Sequence, residues 1–150
     1  MKKAPEYDRS QKKLQRILEL LKPKVLVRLT YPSKYPSLSE TLVHIDTLVR
    51  FLTEQGHQGI WFRRLQTRGV PFFYLLLSKF IPVRDLSQKW FTVVGSGDPA
   101  HLKAGVDISS FQFKKGYMQF LEKEIFPLIH HSDFCFCTFG SLKAKLISWF

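Results

Sequence analysis

The sequence is poor in cysteine, in acidic residues and in long apolar runs, and each shortage excludes something. Two cysteines occur in 150 residues, Cys135 and Cys137. Side chains two apart on a strand point the same way, but a disulfide between them would close a very tight ring. They read as reduced thiols of a cytoplasmic protein. Nearby lie His130, His131 and Asp133, yet the spacing H-H-x₃-C-x-C matches no common structural zinc pattern. No stretch approaches the roughly 18 uncharged apolar residues of a membrane span. The charged start Met1-Lys2-Lys3 is followed by no apolar run, which argues against a signal peptide. No Ser/His/Asp or Cys/His set suggests nucleophilic catalysis. Gly95-x-Gly97 lacks the strand-turn-helix setting of a phosphate cradle and reads as a turn.

What is present is a core and a charge. Hydrophobic residues make up 45% of the chain, enough for one packed domain over 10–150, with 1–9 expected to be a flexible N-terminus. Lys and Arg number 23 against 12 acids, a formal charge of +11. Ten of these cations and three acids fall in residues 1–34; six cations and one acid fall in 59–90. Such a surplus favours a polyanionic partner, through phosphate neutralisation and counterion release.

The patterning predicts an α+β fold, a central and largely antiparallel sheet of about five strands flanked by helices. From Ser10, Leu14, Ile17, Leu18 and Leu21 recur at helical spacing until Pro23. Lys24–Tyr31 reads as a strand. Ser37-x-x-Glu40 looks like a capping box, opening a helix with Leu38, Leu42, Ile45, Leu48, Val49 and Leu52 on one face, which stops near Gly56. Gln58–Gln66 and Val70–Phe80 form a hairpin candidate around Thr67-Arg68-Gly69. Arg84–Val94 reads as a helix, 95–99 as a turn and Ala104–Phe111 as a strand. Lys114–Leu128 reads as a helix presenting Met118, Leu121, Ile125 and Leu128. The end, Phe134–Phe150, mixes a strand signal with an amphipathic helix.

Several strings then fall into a known order. Leu29-Thr30-Tyr31-Pro32, a helix with Asp46 and Phe51, and Ile60-Trp61 with Gln66-x-Arg68-Gly69-x-Pro71 resemble the rolling-circle replication initiators. These are the HUH endonucleases of plasmids and single-stranded phages. Trp90, Asp98-Pro99-x-His101-Leu102, Ala104-Gly105-Val106-Asp107 and a helix with Tyr117, Phe120 and Lys123 continue the likeness, which spans roughly residues 23–125. It implies an HUH-like fold, a relative of the ferredoxin-like folds. It also implies a chemistry in which a divalent ion polarises a DNA phosphate while a tyrosine attacks it.

The sequence departs from that pattern at the ion itself. Phe72 and Tyr74 stand where the pattern has its two metal histidines, and Arg64 where it has its glutamate. The lysine of the tyrosine motif has become Gln119 or Phe120. Rings and a guanidinium do not ligate Mg²⁺ or Mn²⁺, but they suit unpaired bases and phosphates. The expectation is therefore a DNA-binding protein on a catalytically degenerate HUH domain, with a regulatory or replication-accessory role. No cofactor is expected, and the DNA could be single-stranded, hairpin or duplex. Candidate contacts are Lys12, Lys13, Arg16, Arg28, Arg63, Arg64, Arg68, Tyr74, Lys114, Lys115 and Tyr117. One alternative is a nicking enzyme with Tyr117 as nucleophile and Mg²⁺ or Mn²⁺ held by Asp107, Asp98 or His101. Another is a scaffold whose apolar strand edge and terminal helix mediate self-association, as a homodimer, or hold a replication partner.

Overall fold

A computed structural model describes residues 7–32, 35–66, 69–131 and 133–142, with backbone alone at 113–115. It builds the expected α+β architecture around one five-stranded antiparallel sheet. The strands are β1 (Val25–Leu29), β2 (Gly59–Leu65), β3 (Pro71–Leu77), β4 (Val106–Ser110) and β5 (Cys135–Phe139), in spatial order β4-β1-β3-β2-β5. The helices are α1 (Arg9–Leu21), α2 (Leu38–Glu54), α3 (Val83–Val94), α4 (Pro99–Ala104) and α5 (Phe113–Phe120).

Strand β3 is central and apolar on both faces, because helices cover both sides. Alternation sends Phe73, Leu75 and Leu77 to one face, with Val25, Val27, Leu29 and Trp61, under α2 and α3. Ile45, Leu48 and Leu52 of α2 and Leu86 and Trp90 of α3 seal that layer. The opposite face gathers Ile60, Phe62, Leu76 and Tyr74 under Leu14, Ile17, Leu18 and Leu21 of α1 and Phe120 of α5. Gly59 sits where β2 runs tightest between its neighbours. A Cβ there would collide with the Leu76 carbonyl and lie 2.9 Å from the Phe139 ring. The β2–β3 turn uses Gly69 at φ +81°, and its amide donates to the Gln66 carbonyl at 2.8 Å.

Several elements differ from the sequence reading. Residues 7–9, expected to fray, are docked. Asp8 accepts from the Gln11 amide while the Gln11 side chain accepts from the Asp8 amide, both at 2.8 Å, a reciprocal cap that starts α1 at Arg9. Tyr7 packs on Phe126 with ring centroids 5.3 Å apart and donates to Glu122. Ser37 caps α2 by accepting from the Glu40 amide at 3.3 Å, but Glu40 returns to the Ser37 hydroxyl rather than to its backbone. Asp98-Pro99, read as turn, opens the short helix α4, with Asp98 accepting from the Ala100 amide at 3.0 Å. The helix expected to run to Leu128 leaves α-geometry after Phe120. It widens into a π-turn over Leu121–Ile125 and tightens into a 3₁₀ turn over Phe126–Leu128. Pro127 has no N–H for the Lys123 carbonyl, so a regular helix loses a bond there. The predicted C-terminal helix lies, beyond Leu142, outside the described residues. No helix among them is long and apolar enough to cross a membrane.

Candidate nucleic-acid interface

Antiparallel register sets the site. Arg28 of β1 lies opposite Tyr74 of β3 on one side and Asp107 of β4 on the other. Phe62 of β2 lies opposite Tyr74, and Arg64 opposite Phe72. Strand alternation therefore places Arg28, Phe72, Tyr74 and Arg64 on one sheet face, the face that α5 covers. The Arg28 guanidinium carbon is 4.8 Å from the Phe72 ring centroid, and that of Arg64 is 5.7 Å from Phe72 and 5.9 Å from Tyr74. Phe72 is thus held between two cations, a geometry favoured by the ring's negative face. Phe72 and Tyr74 meet edge to face at 5.3 Å, and Tyr74 meets Phe120 of α5 the same way at 5.3 Å.

Glu124, in the π-turn, completes the group. Its carboxylate pairs with Arg64 and accepts from the Tyr74 hydroxyl at 3.4 Å. Burial first, and the Glu124 charge second, raise the Tyr74 phenol above its ordinary value, so it stays protonated as a donor. Phe72 is 5% exposed while Arg28 is exposed to solvent. The positions that would face an ion are accordingly filled with packed rings, and the cation at their edge is already neutralised. The group's one carboxylate, Glu124, is held by Arg64, and the phenyl, phenol and guanidinium around it do not fit a divalent ion.

A second group lies on α1. Arg9, Lys12, Lys13 and Arg16 share one open face of the helix with Glu19. The Tyr117 hydroxyl donates to Glu19 at 3.2 Å, so α5 brings Tyr117 to this basic helix.

Other candidates are placed elsewhere. Arg63, counted with the phosphate contacts, faces the opposite side of the sheet and is 7% exposed. Its guanidinium donates to the Leu38 carbonyl at 2.9 Å, Thr41 Oγ1 at 3.2 Å and the Asp133 carbonyl at 3.2 Å. Alternation on β2 removes it from solvent and makes it a clamp between α2 and the turn before β5. Two of the alternative ion ligands, Asp98 and His101, have structural partners. Asp98 caps α4, and His101 is buried with Nε2 2.8 Å from the Thr30 carbonyl and Nδ1 3.3 Å from Ser96 Oγ. Among the described residues no three His, Cys, Asp or Glu side chains gather closely enough to hold a metal. Arg68 and the side chains of Lys114 and Lys115 lie outside the described residues. Cys135 is half-buried and Cys137 exposed, both free thiols.

The strings that carried the resemblance are also structural. The Thr30 carbonyl accepts from Trp90 Nε1 at 2.8 Å as well as from His101. The Tyr31 hydroxyl is 3.0 Å from His44 Nδ1. Sequence reasoning missed Glu124 and Glu19, the acids that occupy Arg64 and Tyr117. No periodic signal marked Glu124, because α-geometry ends at Phe120 and the π-turn sets where its side chain points. Compared with known proteins, the chain matches no family model, no curated protein and no solved structure.

Proposed function

We propose that this protein binds DNA without cutting it, through an HUH-type domain whose ion cage has been replaced by its own side chains, in a regulatory or replication-accessory role. One observation carries the reading. The sheet face beneath the Tyr117 helix carries Arg28 beside Phe72, Tyr74 and Arg64 as a cation–ring–cation stack, the last three at the strand positions where the resemblance implies metal ligands. The basic face of α1 supports it with four closely spaced cations for a phosphate backbone. Solvent-facing Arg28 supplies a guanidinium that can stack on a base or pair with a phosphate.

Fluorescence anisotropy with labelled single-stranded, hairpin and duplex oligonucleotides tests this. Affinity should fall steeply as salt rises, with a log–log slope of roughly −0.7 to −0.9 per phosphate neutralised. Arg28→Ala and Lys12→Ala should each weaken binding and flatten the slope. Absence of binding at low ionic strength sinks the proposal. Incubation with single-stranded DNA and Mn²⁺ should leave no covalent adduct; an adduct lost in Tyr117→Phe would favour the nicking enzyme instead.

A scaffold is the second reading, favoured by the packing of Phe72 and the Arg64–Glu124 pair, which fill the groove rather than open it. A stable homodimer without DNA affinity, seen by analytical ultracentrifugation, would select it.

A further inference from the structure

The cations of α1 are placed where they weaken the helix that carries them. Arg9, Lys12, Lys13 and Arg16 are all exposed, and each has two like charges three or four residues away on the same face. They fill the first two turns, beside the positive end of the helix dipole. No acid lies in the first turn, and the helix's one acid, Glu19, sits in the last. Both the dipole and the neighbour pairs favour the reverse order. The helix holds nonetheless, because Leu14, Ile17, Leu18 and Leu21 are buried in the core beneath it. Charge is also polarised across the sheet. α1 carries four cations to one acid, whereas α2, on the opposite layer, carries three acids to one cation. A polyanion along the stripe would relieve the repulsion that the helix bears.

Charge density, ring burial and apolar packing select among polyanions. The stripe from Arg9 to Arg16 is about 10 Å long at the ordinary rise of a helix. Duplex DNA presents about six phosphate charges over that length of its axis, twice the number of one strand. A single strand is gripped instead through bases stacked on open aromatic faces. Phe72 and Phe120 are buried on the face that α1 and α5 cover, and Tyr74 is half-buried with its hydroxyl bound to Glu124. The exposed aromatics among the described residues, Tyr35 and Phe80, lead into α2 and α3, which cover the other face. An anionic lipid surface would take apolar side chains from the same helix, but those of α1 already lie in the core. We infer that the ligand is double-stranded DNA, held by its backbone along the stripe of Arg9, Lys12, Lys13 and Arg16 with its bases still paired. The inference rests on the DNA-binding reading and narrows it to one form of nucleic acid. Contacts to phosphates alone make the binding indifferent to base sequence.

Competition anisotropy on the full chain tests it. A labelled mixed-sequence duplex is displaced by itself unlabelled, by a duplex of unrelated sequence, by either strand alone and by phosphatidylserine vesicles. Both duplexes should compete equally, and at least about tenfold better than either strand. Glu is favoured near a helix start, so Lys12→Glu keeps the fold. It should weaken duplex binding about tenfold and flatten the salt slope by about one phosphate contact or more. Arg84→Glu makes the same charge change on exposed ground in α3, on the opposite layer, and should leave the affinity within about twofold of wild type. A strand that competes as well as the duplex, or an Arg84→Glu loss equal to that of Lys12→Glu, overturns the inference while DNA binding stands. Capture by the vesicles with no binding of either oligonucleotide form would put a lipid surface in place of DNA. Absence of binding to all of them removes the DNA-binding reading as well.

Discussion

On β2 two consecutive arginines face opposite sides of the sheet and meet different fates. Arg63 spends its Nη donors on Leu38, Thr41 and Asp133, so it fastens α2 to the turn before β5. Replacing it with Met should cost about 2–4 kcal/mol, since the acceptors it leaves are partly buried and the network acts as a unit; urea unfolding measures this. Arg64 is instead held by Glu124. Glu124→Gln keeps the side chain's shape and removes the charge, so the guanidinium is returned to external anions. If the site binds DNA, this variant should bind more tightly, with a salt dependence steeper by about one phosphate contact. An unchanged slope would mean that Arg64 never reaches a phosphate.

Elements matter to the site mainly through how they end. The reciprocal cap at Asp8 starts α1, and the same carboxylate reaches His130 Nε2 at 2.7 Å. Asp8→Ala should therefore lower the unfolding temperature through the lost cap, with little more from the exposed histidine contact; thermal unfolding checks it. Much of this level was legible in the sequence. The strands announced themselves through β-branched and aromatic runs, and the alternation in β3 by itself puts Phe72 and Tyr74 on one face. Less legible were the places where tertiary demands overrode local pattern. Nothing in Lys114–Leu128 except Pro127 signals a π-turn, yet that turn is what carries Glu124 over Arg64. Arg63 was placed among the phosphate contacts with its neighbouring arginines, whereas α2 lies over its side of β2 and accepts its donors. The Asp98-Pro99 pair did carry a helix-start signal, but its six-residue product was too short for periodicity to reveal.

For the molecule as a whole, charge and acid act together. His44 and His57 are both held below the ordinary 6.5, chiefly by burial, with Lys79 also pressing on His57. A histidine whose folded value is depressed binds fewer protons folded than unfolded. Its contribution is therefore complete above 6.5 and is lost as pH falls from there through the folded value. Asp8 is likewise lowered, first by the Gln11 amide and then by His130. Its contribution is complete above the unfolded carboxylate value and disappears on further acidification. The contributions fall in sequence, histidines first, and acidification also adds positive charge to a chain already at +11. The urea midpoint should accordingly decline below about pH 6.5 before the carboxylate range is reached. His57 has a buried Nδ1 without a partner, so His57→Leu should flatten the first part of that decline without abolishing the fold. A midpoint that stayed level down to the carboxylate range would show that both imidazoles protonate freely in the folded protein. The burial assigned to them would then be wrong.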